Sequence, residues 1–290
     1  MIAIQFNQVD ASIGLEVETS LSPIEDELLA QGKFESSSVV RLFSVQGSVE
    51  YAAFDSLTPG APSMNESLSV GQFTTWEKGK ATIKQDLTDT PHWFRSSVLR
   101  PIDQLAISDM QKALSECPAN EMEATLTKLT GRRQAEIVAI ASRSRIMLGD
   151  YANLFSTDGV FHRKELRIHW QAILEQLEKS LGDEENQIRF MEKLRESVPG
   201  RVNSILTLVV PRSQSQLSSG ADKLLVESLS SSSMDERILA ISQLEKITNK
   251  RMGYHPDKNP TDSIPAWRKA LSRGEIRYFE PKSVNEAPNE

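Results

Sequence analysis

The stretch Ser233–Tyr278, SMDERILAISQLEKITNKRMGYHPDKNPTDSIPAWRKALSRGEIRY, decides how the chain is read. Ile238, Ile241, Leu244 and Ile247 recur at steps of three, so the spacing predicts an amphipathic helix. Ser233-x-x-Glu236 predicts a capping box at its start. A loop rich in Pro, Asp and Asn follows, and then a short helix carrying Trp267. The loop holds His255-Pro256-Asp257, and its reading decides the functional class.

Upstream, helical periodicity extends back to Pro101. Ile102, Leu105, Ile107, Met110 and Leu114 mark one helix, and Asn120 with Glu123 predicts a cap for the next. Ile137, Val138, Ile140, Ala141, Ile146, Met147 and Leu148 stripe a helix that Gly149 closes. Leu166, Trp170, Ile173, Leu174, Leu177 and Leu181 give a strong apolar face ending at Gly182. Asp183 is placed to cap a helix with Ile188, Met191 and Leu194 inward. Val202–Val209 and Leu217–Leu229 (with Ala221, Leu224 and Leu225) complete eight or nine helices on short loops, as in a bundle or solenoid.

Before residue 87 the period is two. Alternation at Ile2–Phe6, Leu15–Glu18, Val39–Val45, Ser48–Tyr51, Ser67–Val70 and Ala81–Lys84 predicts short antiparallel strands. Pro23–Leu29 is the exception and has room for one helical turn. The expected fold class is α+β: a β module, sandwich or roll, at 1–86, a linker at 87–100, an all-α domain at 101–281 and a disordered tail at 282–290. Trp93-Phe94 in the linker is expected to plug the joint, with His92 in a packing role.

Composition narrows the function classes. Residues 1–100 carry 13 acidic and 7 basic groups within a chain of net charge −7, the wrong sign for nucleic-acid binding. One cysteine, Cys117, allows no internal disulfide and no thiolate metal cluster. No apolar run approaches a membrane span, and the N-terminus lacks a signal peptide's basic start and apolar core. His162 and His169 lie seven apart with no third ligand in view, so packing roles are expected. Arg132, Arg133, Arg143 and Arg145 read as a solvated helix face. No G-x-S-x-G, Walker A, G-x-G-x-x-G, H-E-x-x-H or C-x-x-C occurs. The expectation is no catalytic residue, no cofactor, no metal and a protein partner.

Three resemblances bear on this. Arg41–Ala52, RLFSVQGSVEYA, and Leu68–Trp76, LSVGQFTTW, resemble the later half of the FecR-type domain, a β module of bacterial envelope signalling proteins. Ile13–Thr19 stands where that family has its preceding strand, which implies an incomplete module. Arg132–Tyr151, RRQAEIVAIASRSRIMLGDY, resembles a helix of HEAT-like repeats in a planctomycete-like bacterial group. Their closing unit is similar to the opening stretch at Leu244, Ile247, Thr248, Tyr254, Pro256, Asp257, Trp267, Arg268, Leu271, Gly274, Ile276 and Tyr278. That resemblance implies a regulatory or scaffold protein, with Tyr254, Pro256, Asp257, Trp267 and Tyr278 shaping a capping loop. Tyr254–Pro260, YHPDKNP, matches instead the signature of DnaJ-type cochaperones. The alternative is therefore a cochaperone loop at His255, Pro256 and Asp257, although the preceding helix lacks the basic face of that family. The expected location is cytoplasmic as the sequence stands, or the envelope if an upstream anchor precedes it.

Overall fold

A computed structural model describes residues 2–6, 12–53, 64–77, 80–81, 84–86, 100–258 and 263–278. The chain is α+β and forms two compact units. One holds Met1–Ser20 and Ser36–Pro101; the other holds Ile102–Glu290 together with Leu21–Glu35. The chain thus leaves the β unit after Ser20, contributes a short segment to the helical unit, and returns at Ser36. Trp93-Phe94, His92, Asn259, Pro260 and the tail from 282 lie outside the described residues.

Among the described residues the β unit has two sheets. Strands β1 (Ile2–Phe6), β4 (Val49–Ala53) and β5 (Met64–Leu68) form one, ordered β1-β4-β5, with Ile2 opposite Ala53 and Val49 opposite Leu68. The other runs β2 (Ser12–Ser22), β3 (Glu35–Gln46), β6 (Gln72–Glu77) and β7 (Lys80–Ala81), with β8 (Gln85–Asp86) also on β6. Leu42, Tyr51, Leu68 and Trp76 from both sheets make its core, and Tyr51 meets Trp76 edge-on at 5.1 Å. The expected strand at Ser67–Val70 ends earlier, because Ser69–Gly71 turn back and Gly71 donates to Ser44 O at 2.9 Å. β6 carries Thr74, fully buried opposite Leu42, so a polar residue on its core face masks its period.

The helical unit contains α1 (Asp26–Ala30), α2 (Pro101–Ser115), α3 (Met122–Thr130), α4 (Ala135–Met147), α5 (Trp170–Ser180) and α6 (Glu184–Ser197). It continues with α7 (Val202–Val209), α8 (Gln214–Gln216), α9 (Asp222–Ser228), α10 (Met234–Thr248) and α11 (Ile264–Ser272). α4 sits between two cores. Ile137 and Ala141 join Met110, Leu126 and Leu129, while Val138 and Ile146 join the main core. That two-sided burial is why its apolar residues spread around the helix instead of forming one stripe. Gly149 ends it in a Schellman turn: its N–H donates to Ile146 O, and that of Asp150 to Arg145 O.

Several sequence expectations need correction. Glu121, not Asn120, precedes α3, and no side chain caps it; Ala119–Glu121 forms a 3-10 turn instead. Ser233 does not cap α10, since its hydroxyl donates to Asp235. Ile188 and Leu224 point outward at 55% and 41% exposure, and Phe190 takes the core position on α6. Leu105 is exposed, and Ala106 and Met110 are the buried face of α2. Leu166 lies in a 3-10 turn ahead of α5. Arg145 leaves the basic face: it is buried and bonds Asp150 through Nε at 2.7 Å. Asp183 caps α6 as expected, accepting from Asn186 N at 3.0 Å.

Candidate functional site

The opening stretch packs as the centre of the helical unit. Eleven residues of α10 are buried, against α7, α9 and the 3-10 turn Val160–His162. Asn249 (φ 53°), Met252 (φ 48°) and Gly253 (φ 70°) turn the chain out of α10. Tyr254 is then fully buried and donates its hydroxyl to Leu229 O at 2.6 Å. Burial pushes that phenol up to about 12, despite the opposing charge of Arg237. Pro256 is buried, and its carbonyl accepts from Arg237 Nε at 2.9 Å. The Asp257 side chain is only 10% exposed and lies 3.6 Å from Arg167. His255 alone of the three motif residues is exposed. Trp267 is fully buried with Ile264 and Ala270 on α11, and Tyr278 donates its hydroxyl to Arg212 O at 2.5 Å.

At the start of α10 lies a buried ionic knot that the sequence does not announce. Asp235 has no exposed surface, and its Oδ1 accepts from Arg201 Nη1 and from Glu236 N, each at 2.7 Å. Ser233 donates to the same oxygen, and His162 Nε2 stands 3.4 Å from Oδ2. Burial alone favours the neutral acid, yet His162, Arg201 and Ser233 together outweigh it and hold the carboxyl well below the usual range. Glu236 closes the knot by accepting from Ser204 and Ser231. His162 therefore sits beside Asp235 in a structural cluster, and no group of three or more metal-ligating side chains occurs among the described residues.

A cleft of about 610 Å³ opens on the same unit between α1, α7 and the segment entering α9. Leu29 and Leu206 provide apolar wall, and Arg212, Ser215, Gln216 and Gly220 also line it. Ser213 caps α8 in a full capping box with Gln216, whose amide also donates to Ile24 O at 2.8 Å. Arg212 is buried, pairs with Asp26 at 2.5 Å and donates to Thr207 O at 3.0 Å. Leu217–Ala221 is a π-helical turn in which Gly220 takes φ 114°. π turns recur at functional sites, but these polar groups are engaged in holding the cleft's own walls. The cleft joins residues 25–30 to residues 203–224, a juxtaposition with no local sequence signal.

Comparison with protein-family models, curated proteins and solved structures finds no match to this chain.

Proposed function

We propose that this chain is a non-enzymatic regulatory or scaffold protein, acting by protein–protein contact in FecR-like signalling at a bacterial envelope. One observation carries the reading: among the described residues, the polar groups of the ionic knot and of the cleft are bound up in holding the fold. Asp235 is bound by Arg201 and Ser233, Arg212 by Asp26, and Gln216 by Ile24. A general base needs an open line to substrate, and Asp235, with no exposed surface, lacks one. Large apolar side chains stand exposed on both units, among them Leu15, Val17, Leu105 and Ile168. Photo-crosslinkers placed singly at Leu105, Ile168 and Leu15 in bacterial cells test this. A discrete crosslinked protein from any position supports it, and absence of one from all three defeats it.

The cochaperone reading retains one supporting observation, the exposed His255. Burial of Pro256 and the tucked Asp257 weigh against it, because that loop must present all three residues to a chaperone ATPase. Stimulation of such an ATPase that disappears in His255→Gln is the outcome that favours it.

A further inference from the structure

We infer that the cleft between α1, α7 and α9 is a binding site for a free α-amino acid with an apolar side chain. The inference goes beyond the interaction reading, and neither depends on the other. At about 610 Å³ the cleft falls within the usual span of small-molecule sites, about 300 to 1,000 Å³. Its whole lining comes from the helical unit.

Arg212 sets the first requirement. Its side chain is 4% exposed, and Thr207 O holds Nη2 in place at 3.0 Å. Nη1 pairs with Asp26 Oδ1, yet the Asp26 side chain is 78% exposed, and Nε has no partner among the described residues. A guanidinium taken out of water is thus repaid by one hydrated carboxylate, with one N–H left over. Asp26 also shows which head group reaches the guanidinium: a carboxylate arriving from the solvent side.

The charges around it set the second requirement. Glu25 is exposed beside Asp26 and lines the same cleft, with no ion pair among the described residues. The lining therefore holds two carboxylates and one guanidinium. A simple anion that took Arg212 would leave Asp26 and Glu25 side by side without a cation. A simple cation would leave Nε of Arg212 unpaired. A zwitterion serves both, its carboxylate on the guanidinium and its ammonium on Asp26 and Glu25. In an α-amino acid the two charges sit on adjacent carbon atoms, so one molecule reaches both halves of an ion pair already in contact.

The walls choose the side chain. Leu29 and Leu206 present apolar surface, and Leu224 stands 41% exposed there, so a ligand can cover it. Gly220 lines the cleft too, and a Cβ built on it meets nothing within 4 Å, so that wall leaves room.

Isothermal titration calorimetry of the full chain compares L-leucine with 4-methylpentanoate, which lacks the amine, and 3-methylbutylamine, which lacks the carboxylate. We expect leucine to bind and each analogue to bind about tenfold or more weakly, the equivalent of one charge-assisted hydrogen bond. Hydrogen exchange should show protection at residues 25–30 and 212–224. Arg212→Gln is expected to abolish leucine binding. Because that side chain is buried, the exposed Asp26→Asn keeps the test independent of folding. It should weaken leucine about tenfold while 4-methylpentanoate binds no more weakly than before. Leu224→Ser should narrow the preference for leucine over alanine. Absence of leucine binding to the full chain overturns the inference, and so does protection confined to other residues. An analogue that matches leucine overturns it as well, by making the cleft a site for a simple anion or cation. None of these outcomes moves the crosslinks at Leu105, Ile168 or Leu15, which test the interaction reading alone.

Discussion

Tyr254 shows what the closing stretch does at the level of single side chains. Its hydroxyl satisfies Leu229 O inside the core, so Tyr254→Phe strands a buried carbonyl. The expected loss is about 1–2 kcal/mol, read as a lower urea midpoint. Trp267→Ala empties a fully buried site and is expected to cost about 3–5 kcal/mol, whereas the exposed His255→Ala should stay within about 0.5 kcal/mol. Asp235 makes stability depend on acid. Its folded carboxyl titrates below the unfolded one, so its stabilisation is fully present above about pH 4 and is lost as pH falls towards the depressed folded value. Urea midpoints between pH 5 and pH 2 should fall less steeply in Asp235→Asn, from an already lower start. The turn at Pro256 and the short helix carrying Trp267 were legible from the residues, whereas Tyr254 was singled out only by the resemblance to the helical-repeat group. The knot around Asp235 was not legible, because Arg201 and His162 reach it from 34 and 73 positions away, and nothing local marks the pairing.

At the scale of elements, legibility follows how many faces a helix buries. α5 buries one face and shows one clean stripe, so its inward residues were readable. α4 and α10 bury several faces, so their apolar content predicts a helix but not which neighbours it meets. Caps failed where a side chain found a better partner than the backbone. Ser233 donates to Asp235, while Ser213, unremarked in the sequence, forms the complete box with Gln216. Ser213→Ala should therefore cost about 1 kcal/mol by loss of a cap. The π turn makes a further prediction. A Cβ at Gly220 meets no atom within 4 Å, so Gly220→Ala is penalised only for its backbone angle, by about 1–3 kcal/mol. A larger loss in thermal unfolding would mean that the turn needs the space as well.

The whole molecule was legible as α+β, with strands before helices, but not in the way its chain is shared out. Leu21, Ile24, Leu29 and Phe34 belong to the main helical core although they lie amid β sequence. A fragment of residues 101–290 should accordingly be less stable than the same unit in the full chain, since it lacks those four side chains and leaves Arg212 without Asp26. Adding a peptide of residues 21–35 should raise its melting temperature. No change would mean that the segment rests on the unit without stabilising it.

That shared segment also sets a timetable. Asp26 and Arg212 are 186 positions apart, and Gln216 reaches back 192 to Ile24. At a synthesis rate of about 5–20 residues per second, residues 21–35 leave the ribosome roughly 10–40 s before their binding surface exists. For that interval Leu21, Ile24, Leu29 and Phe34 are without the helical partners they pack against in the folded protein.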